Sequence, residues 1–303
     1  MLLRLLPPLV LWALAGIPYL STVLERPDLL SLGTRIVAWG LAAMALDFVL
    51  GMGGIVALGH AGFVGIGAYV TVVAMANGET EFLVLLALAA AASAAYGVAT
   101  GAIALRGGPL NVMLVTFVFG AVLAEAALGL PILGGMRGLA MTERPTLAGF
   151  PLLDGEDALF WTAFVVLLVA YAALAFIRQS PFGRALKAVG DNAARAESLG
   201  IQPFRHRLQA YAVSAGLCGI AGALIAMVDM AAAPSLMAWQ RSAELLVIAA
   251  LGAPLPLAGA IAGAAVYLGL KETLIGTIGL WQGAIGILIA ALAFLRLRLL
   301  HRS

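Results

Sequence analysis

The chain has 303 residues, of which 63% are hydrophobic and only 11% charged, with a formal net charge of +2. A soluble domain is about 45–50% apolar and roughly 25% charged, so a mean hydropathy of +1.07 argues against a soluble fold, and the weak net charge argues against a nucleic-acid partner. The lone Cys218 excludes an intramolecular disulfide and a cysteine-based metal cluster.

A spanning helix needs about 20 mainly apolar residues. Spans are therefore expected at 5–24, 35–51, 60–77, 82–104, 111–130, 159–178, 208–230, 242–253, 257–275 and 280–296. The expected fold is all-α: a polytopic transmembrane helix bundle of about 10 spans (8–10), in one domain covering 1–303. The N-terminal run carries one Arg and no small-x-small site ahead of a soluble region, so it reads as an uncleaved first span. The 36 glycines suit helices that pack closely in lipid.

Two apolar regions are interrupted. Gly51–Tyr69 and Val247–Tyr267 both contain Ile-x-Ala-Leu-Gly, at 55–59 and 248–252, followed by a break. Paired discontinuous helices often mark the substrate region of a transporter. Gly54, Gly59, His60, Phe63 and Gly67 are thus candidates for a translocation path. His60 can equally cap backbone groups freed at the break. Irregular backbone at membrane depth is tolerated only when buried in protein or lining a cavity. Whether 51–60 re-enters the bundle or simply turns is open from periodicity.

Two stretches between spans are long. Residues 131–158, rich in Gly and Pro, form an outer loop that can pack back on the bundle, meet an external partner or remain solvated. Residues 179–207 carry Arg184, Lys187, Arg195, Arg205 and Arg207 against Asp191 and Glu197. A basic loop between spans is expected on the cytoplasmic side, which places both termini inside. With Gly200 as a helix stop, it looks like a docking element.

Ionisable residues within spans are functional candidates by default. Asp47 and Glu125 are expected to lie deepest. Asp229, Glu244, Lys271 and Glu272 fall near span ends, where long side chains can snorkel. An ion-coupled secondary transporter, using Asp47 and Glu125 as cation or proton sites, is the main alternative class. The chain has no G-x-x-x-x-G-K-[ST], no H-E-x-x-H and no G-x-S-x-G. No catalytic residues, no metal and no bound cofactor are expected.

Leu46–Val70 (LDFVLGMGGIVALGHAGFVGIGAYV) resembles the N-terminal signature of branched-chain amino acid ABC importer permeases of the LivM type. Ser180–Ile201 (SPFGRALKAVGDNAARAESLGI) resembles that family's coupling loop, and Arg205–Leu224 the span after it. Ser242–Gly252 and the Trp281–Gln282 pair also match, so that the resemblance covers roughly half the chain. The Ala253-Pro254-Leu255-Pro256 turn replaces the family's Gly-rich one.

The resemblance implies a transport subunit, not an enzyme. It would sit multi-pass in a bacterial-type inner membrane and move branched-chain amino acids or related small solutes inward. It implies two ABC ATPase subunits carrying ATP and Mg²⁺, a second permease (a heterodimer), a solute-binding protein outside, and contact with membrane lipid. In the coupling loop, Leu186, Val189 and Leu199 would give apolar contacts to the ATPase. Arg184, Lys187, Asn192, Arg195 and Glu197 would give polar ones, with Gly200 ending the helix.

Overall fold

Apolar runs broken by Gly, Pro and short polar clusters fold as a series of helices. The computed structural model describes residues 2–26, 28–252 and 255–275, together with the isolated positions 283 and 286. The tenth expected span, 280–296, is otherwise outside the described residues. So are Trp281, Gln282, Ala253, Pro254 and the basic C-terminal tail.

The first expected span is two helices, α1 (Leu2–Ala15) and α2 (Ile17–Val23). Pro18 has no N–H to bond back into α1, so the ladder breaks at Gly16. Next come α3 (Asp28–Gly53), α4 (His60–Ala76), α5 (Phe82–Ala104) and α6 (Pro109–Gly129). After the 131–158 loop follow α7 (Glu156–Gln179), the short α8 (Pro181–Asp191) and α9 (Ala193–Ser198), and α10 (Pro203–Asp229). The described part closes with α11 (Trp239–Gly252) and α12 (Ala258–Ile275). Among these, α3, α5, α6, α7 and α10 are the five helices long and apolar enough to cross a membrane.

α3 begins seven residues before its expected start. Its polar first turns are satisfied: the Thr34 hydroxyl donates to the Leu30 carbonyl, and Arg35 pairs with Asp229 at the far end of α10 at 2.8 Å. α3 and α10 form the centre, with 83% and 72% of their apolar windows buried against 22% for α6. α3 packs on α7, α10, α11 and α12, and α10 on α4 and α5. The α4–α5–α10 contact is made by small residues. A Cβ on Gly67 would collide with the Gly219 carbonyl, and one on Gly222 with the Val64 carbonyl. Such approach lets dispersion forces act between helices that gain nothing from hydrophobic burial in lipid.

The 131–158 loop is pinned to the bundle at several points, while most of its residues stay exposed. Leu139 and Ala140 (β1) pair antiparallel with Ala232 and Ala231 (β2), just past the end of α10. The Glu81 carboxylate, before α5, accepts from Ala148 N and Gly149 N at 2.9 and 3.2 Å. Arg144 donates to the Asp154 carbonyl at 2.7 Å, and Leu153 is fully buried.

Gly222→Val is expected to lower thermal stability in mild detergent by more than the roughly 1–3 kcal/mol of ordinary overpacking, because the obstacle is backbone. Gly51→Ala, whose Cβ meets nothing within 4 Å, should melt as wild type does. Equal melting of both variants would show that the close helix contact does not exist.

Candidate functional site

The break between α3 and α4 leaves peptide groups inside an apolar bundle. An unsatisfied group there costs several kcal/mol. Residues 54–59 have no regular structure; Ile55 N returns to the Val49 carbonyl of α3, and side chains of other helices meet groups at the end of the segment and in the first turn of α4. Leu58 N donates to Thr116 Oγ1 of α6 at 3.1 Å, and Ala61 N to Ser242 Oγ of α11 at 3.0 Å. His60 Nε2 lies 3.1 Å from Ser214 Oγ of α10, which donates to the Ala45 carbonyl of α3 at 2.6 Å. Because the Ser214 hydrogen is spent on Ala45, His60 Nε2 carries the proton and donates to Ser214. Ser93 Oγ of α5 donates to the Phe63 carbonyl at 3.0 Å.

This chain of bonds also fixes depth. His60 is tied to the level of Ala45, about two turns or 12 Å up α3 from Gly53. The 54–59 segment therefore turns back into the bundle. Around it, His60, Phe63 and Tyr211 stack edge to face with ring centroids 5.4–5.5 Å apart.

The expected path residues do not line an opening. His60 is 0% exposed and Phe63 1%. Gly67 is pressed on Gly219, and a Cβ on Gly59 would meet the Thr116 carbonyl at 2.6 Å. Gly54 borders a pocket of about 20 Å³, little more than one water needs. These residues join helices in this conformation. His60 matches neither alternative as expected: its ring caps no backbone group and instead tethers α4 to α10 through the Ser214 hydroxyl.

The second break is served in a similar way. Asp47 Oδ2 accepts from Leu257 N at 2.9 Å, just ahead of α12. Asp47 thus caps backbone. Glu125 does not lie deep: it is exposed, about one turn from the outer-loop end of α6. Glu244 is held by Arg241 at 2.7 Å and Lys271 at 3.6 Å. Cys218 is buried with its thiol toward the Ala42 carbonyl at 3.7 Å.

The basic loop is two helices seated on the end of α3. Ser180 N-caps α8, accepting from Gly183 N, and Asn192 N-caps α9, accepting from Arg195 N at 3.0 Å. Gly200 ends α9 at φ 83°, with Gly200 N bonded to Glu197 O and Ile201 N to Ala196 O. This is a Schellman stop, which glycine enters without steric cost. α8 presses on α3 so closely that a Cβ on Gly190 would collide with the Met52 carbonyl. Lys187 Nζ reaches the Gly51 carbonyl at 3.3 Å, and Arg207 Nε the Gly53 carbonyl at 3.2 Å. Two cations thus cap the C-terminal, negative end of α3.

The seating corrects part of the expected dock. Leu186 and Val189 are both 0% exposed, facing the bundle, so neither can contact a partner. Arg184 and Lys187 line a cleft beside α7. The outward surface is α9 and the turn after it. Leu199 is 74% exposed, Arg195 and Glu197 are exposed, and an open groove of about 430 Å³ runs from Glu197 to Arg205. Sequence reasoning missed Thr116, Ser214 and Ser242. For Thr116 and Ser214 the one signal was a hydroxyl inside a long apolar run; Ser242, between Arg241 and Glu244, carried none.

The family described as branched-chain amino acid transport system, permease component, matches residues 29–297. Two curated relatives are the high-affinity branched-chain amino acid transport system permease proteins LivM of Salmonella typhimurium and Escherichia coli. Each is 28% identical, over 81% of this chain and 67% of the relative. No solved structure matches.

Ser242→Ala and Ser214→Ala each strand a buried donor. Each should cost about 1–3 kcal/mol, read as a lowered melting temperature. Replacing the exposed Ser198 by Ala should cost under about 0.5 kcal/mol. Wild-type melting of all three would mean that the hydroxyls do not hold the break.

Proposed function

The chain belongs to the family of permease components of branched-chain amino acid transport systems, and we propose that it is the membrane subunit of an ATP-binding-cassette importer. It takes branched-chain amino acids or closely related small solutes inward across the inner membrane. It forms a bundle of about ten spans, with both termini and the α8–α9 loop on the cytoplasmic side. A second, different permease completes the pore. Two ATPase subunits bind the loops, and a solute-binding protein delivers solute to the outer face.

The observation that carries this reading is the mounting of the loop. α9 offers an exposed apolar side chain, Leu199, beside an open groove. α8, one residue away, is locked on the end of α3 by Gly190, Leu186, Val189 and the Lys187 bond, and Arg207 ties the start of α10 to the same end. A displacement of α9 would therefore move the end of α3, and with it the 54–59 segment that runs to His60. This is a mechanical link from a docking surface to a broken helix.

ATP and Mg²⁺, bound on the ATPase subunits, supply the energy. This chain's residues supply the docking contact and the lever. ATPase closure can shift access only if the two ATPase states bind α9 with different affinity, since equal binding shifts no equilibrium. Solute choice rests largely with the binding protein. Asp47 accepting from Leu257 N and Glu125 standing exposed near a helix end support this reading over an ion-coupled carrier.

Leu199→Glu combined with Arg195→Glu should lower recovery of the ATPase subunits, and ATP-driven uptake, by about tenfold or more, the loss of one interface anchor. Both side chains are exposed, so melting of the chain alone should be unchanged. Uptake should also persist when ion gradients are collapsed with ATP present. Unaltered recovery of the ATPase would overturn the dock, and gradient-dependent uptake would overturn the importer.

A further inference from the structure

α7 carries one side-chain stripe at alternating steps of three and four: Trp161, Phe164, Leu168, Tyr171, Ala175 and Arg178. Its first half lines an apolar groove of about 580 Å³ against α1, with Trp12 on the opposite wall. Its second half lines a cleft of about 560 Å³ that Arg184 and Lys187 of α8 close from below. The same helix face thus passes from a greasy slot to a cationic one. Leu168 and Arg178 are ten residues apart, about 15 Å along a helix. That is the depth of half a hydrocarbon core of about 30 Å.

The charges at the cleft do not cancel. Lys187 is paired with Asp191 at 2.9 Å, and Arg184 donates to the Gln179 carbonyl at 2.7 Å. Asp47 faces Arg178 from α3, but its Oδ2 already accepts from Leu257 N. Among the described residues no carboxylate lies within ion-pair distance of Arg178 or Arg184. Three cations thus stand against two carboxylates. We propose that this groove and cleft bind one anionic phospholipid of the inner leaflet, its phosphate between Arg178 and Arg184 and an acyl chain along Tyr171, Leu168 and Phe164. A free anion would leave the apolar groove unused. A zwitterionic lipid would gain little from the excess positive charge. Basic pockets between helices at the cytoplasmic side have the chemistry that lipid phosphates require. Because Lys187 also bonds the end of α3, the bound headgroup sits against the seat of α8 and steadies the lever.

The leaflet assigned rests on the orientation proposed above, whereas the binding does not. The test therefore uses the purified full chain in mild detergent, without transport. Native mass spectrometry would follow titration with phosphatidylglycerol and with phosphatidylcholine. Phosphatidylglycerol should bind more tightly, and Arg178→Gln with Arg184→Gln should weaken it by about 30-fold, about fivefold per charge, leaving phosphatidylcholine unchanged. A photoreactive phosphatidylglycerol should label wild-type peptides between 164 and 187, an arm that needs no variant to fold. Three results would overturn the site: equal affinity for the two lipids, labelling confined elsewhere, or displacement by millimolar inorganic phosphate. The last would assign the cleft to a free anion. None of these outcomes bears on whether the chain is an importer subunit.

Discussion

Every other feature of this bundle depends on how it satisfies the backbone where α3 stops and α4 starts. Lipid offers no hydrogen bonds, so a break at membrane depth must find its partners within the protein. Thr116 of α6 and Ser242 of α11 provide two of them, while Ser214 of α10 and Ser93 of α5 tie the His60 ring and the Phe63 carbonyl into the same region. Each hydroxyl works only if its helix holds the right height and rotation. The break therefore sets the register of five helices around α3, and the glycine contacts of α4 and α10 make the required proximity possible. Asp47 performs the same service for the start of α12. Both devices spend polar groups on architecture that a transporter reading would otherwise assign to solute or ions.

The loop at the end of α3 extends the same logic to the surface. A helix C-terminus exposes carbonyls, and Lys187 and Arg207 meet those of Gly51 and Gly53. The basic residues of the loop thus have more than one duty. Some hold α8 to α3, some face the cleft beside α7, and some remain outward on α9. Charge alone would set the side of the membrane on which the loop lies. The packing of Leu186 and Val189 makes it a fixed part of the bundle instead of a tether. A rigid mount is what a lever needs: flexible attachment would dissipate the motion of a docked partner before it reached the broken segment.

Much of the fold was legible in the sequence. The helix starts at His60 and Phe82 and the ends at Ala104 and Ile275 agree with the expected spans. Long apolar runs closed by Gly, Pro or charge have only one stable form in lipid. The Gly200 stop of the loop was legible as well, whereas the caps Ser180 and Asn192, which divide the loop into two helices, were not read from the sequence. Boundaries failed where a polar residue found a distant partner. α3 runs past its expected start at Arg35 because Thr34 bonds back to the Leu30 carbonyl within the helix and Arg35 itself is held by Asp229, 194 positions away in the chain.

What the sequence determined by itself is what short-range physics decides: helical runs, the Gly200 stop and the position of the basic loop between them. The tertiary structure alone decided which way side chains of equal character face. Leu186 and Leu199 have the same side chain, yet one is sealed against α3 and the other stands in the open. His60 looked like a path residue until Ser214, brought in by α10, made it a tether. Periodicity ranks residues along one helix. Burial, bonding and access are set by the neighbouring helices, and their approach depends on glycine contacts and single hydroxyl bonds that no local pattern encodes.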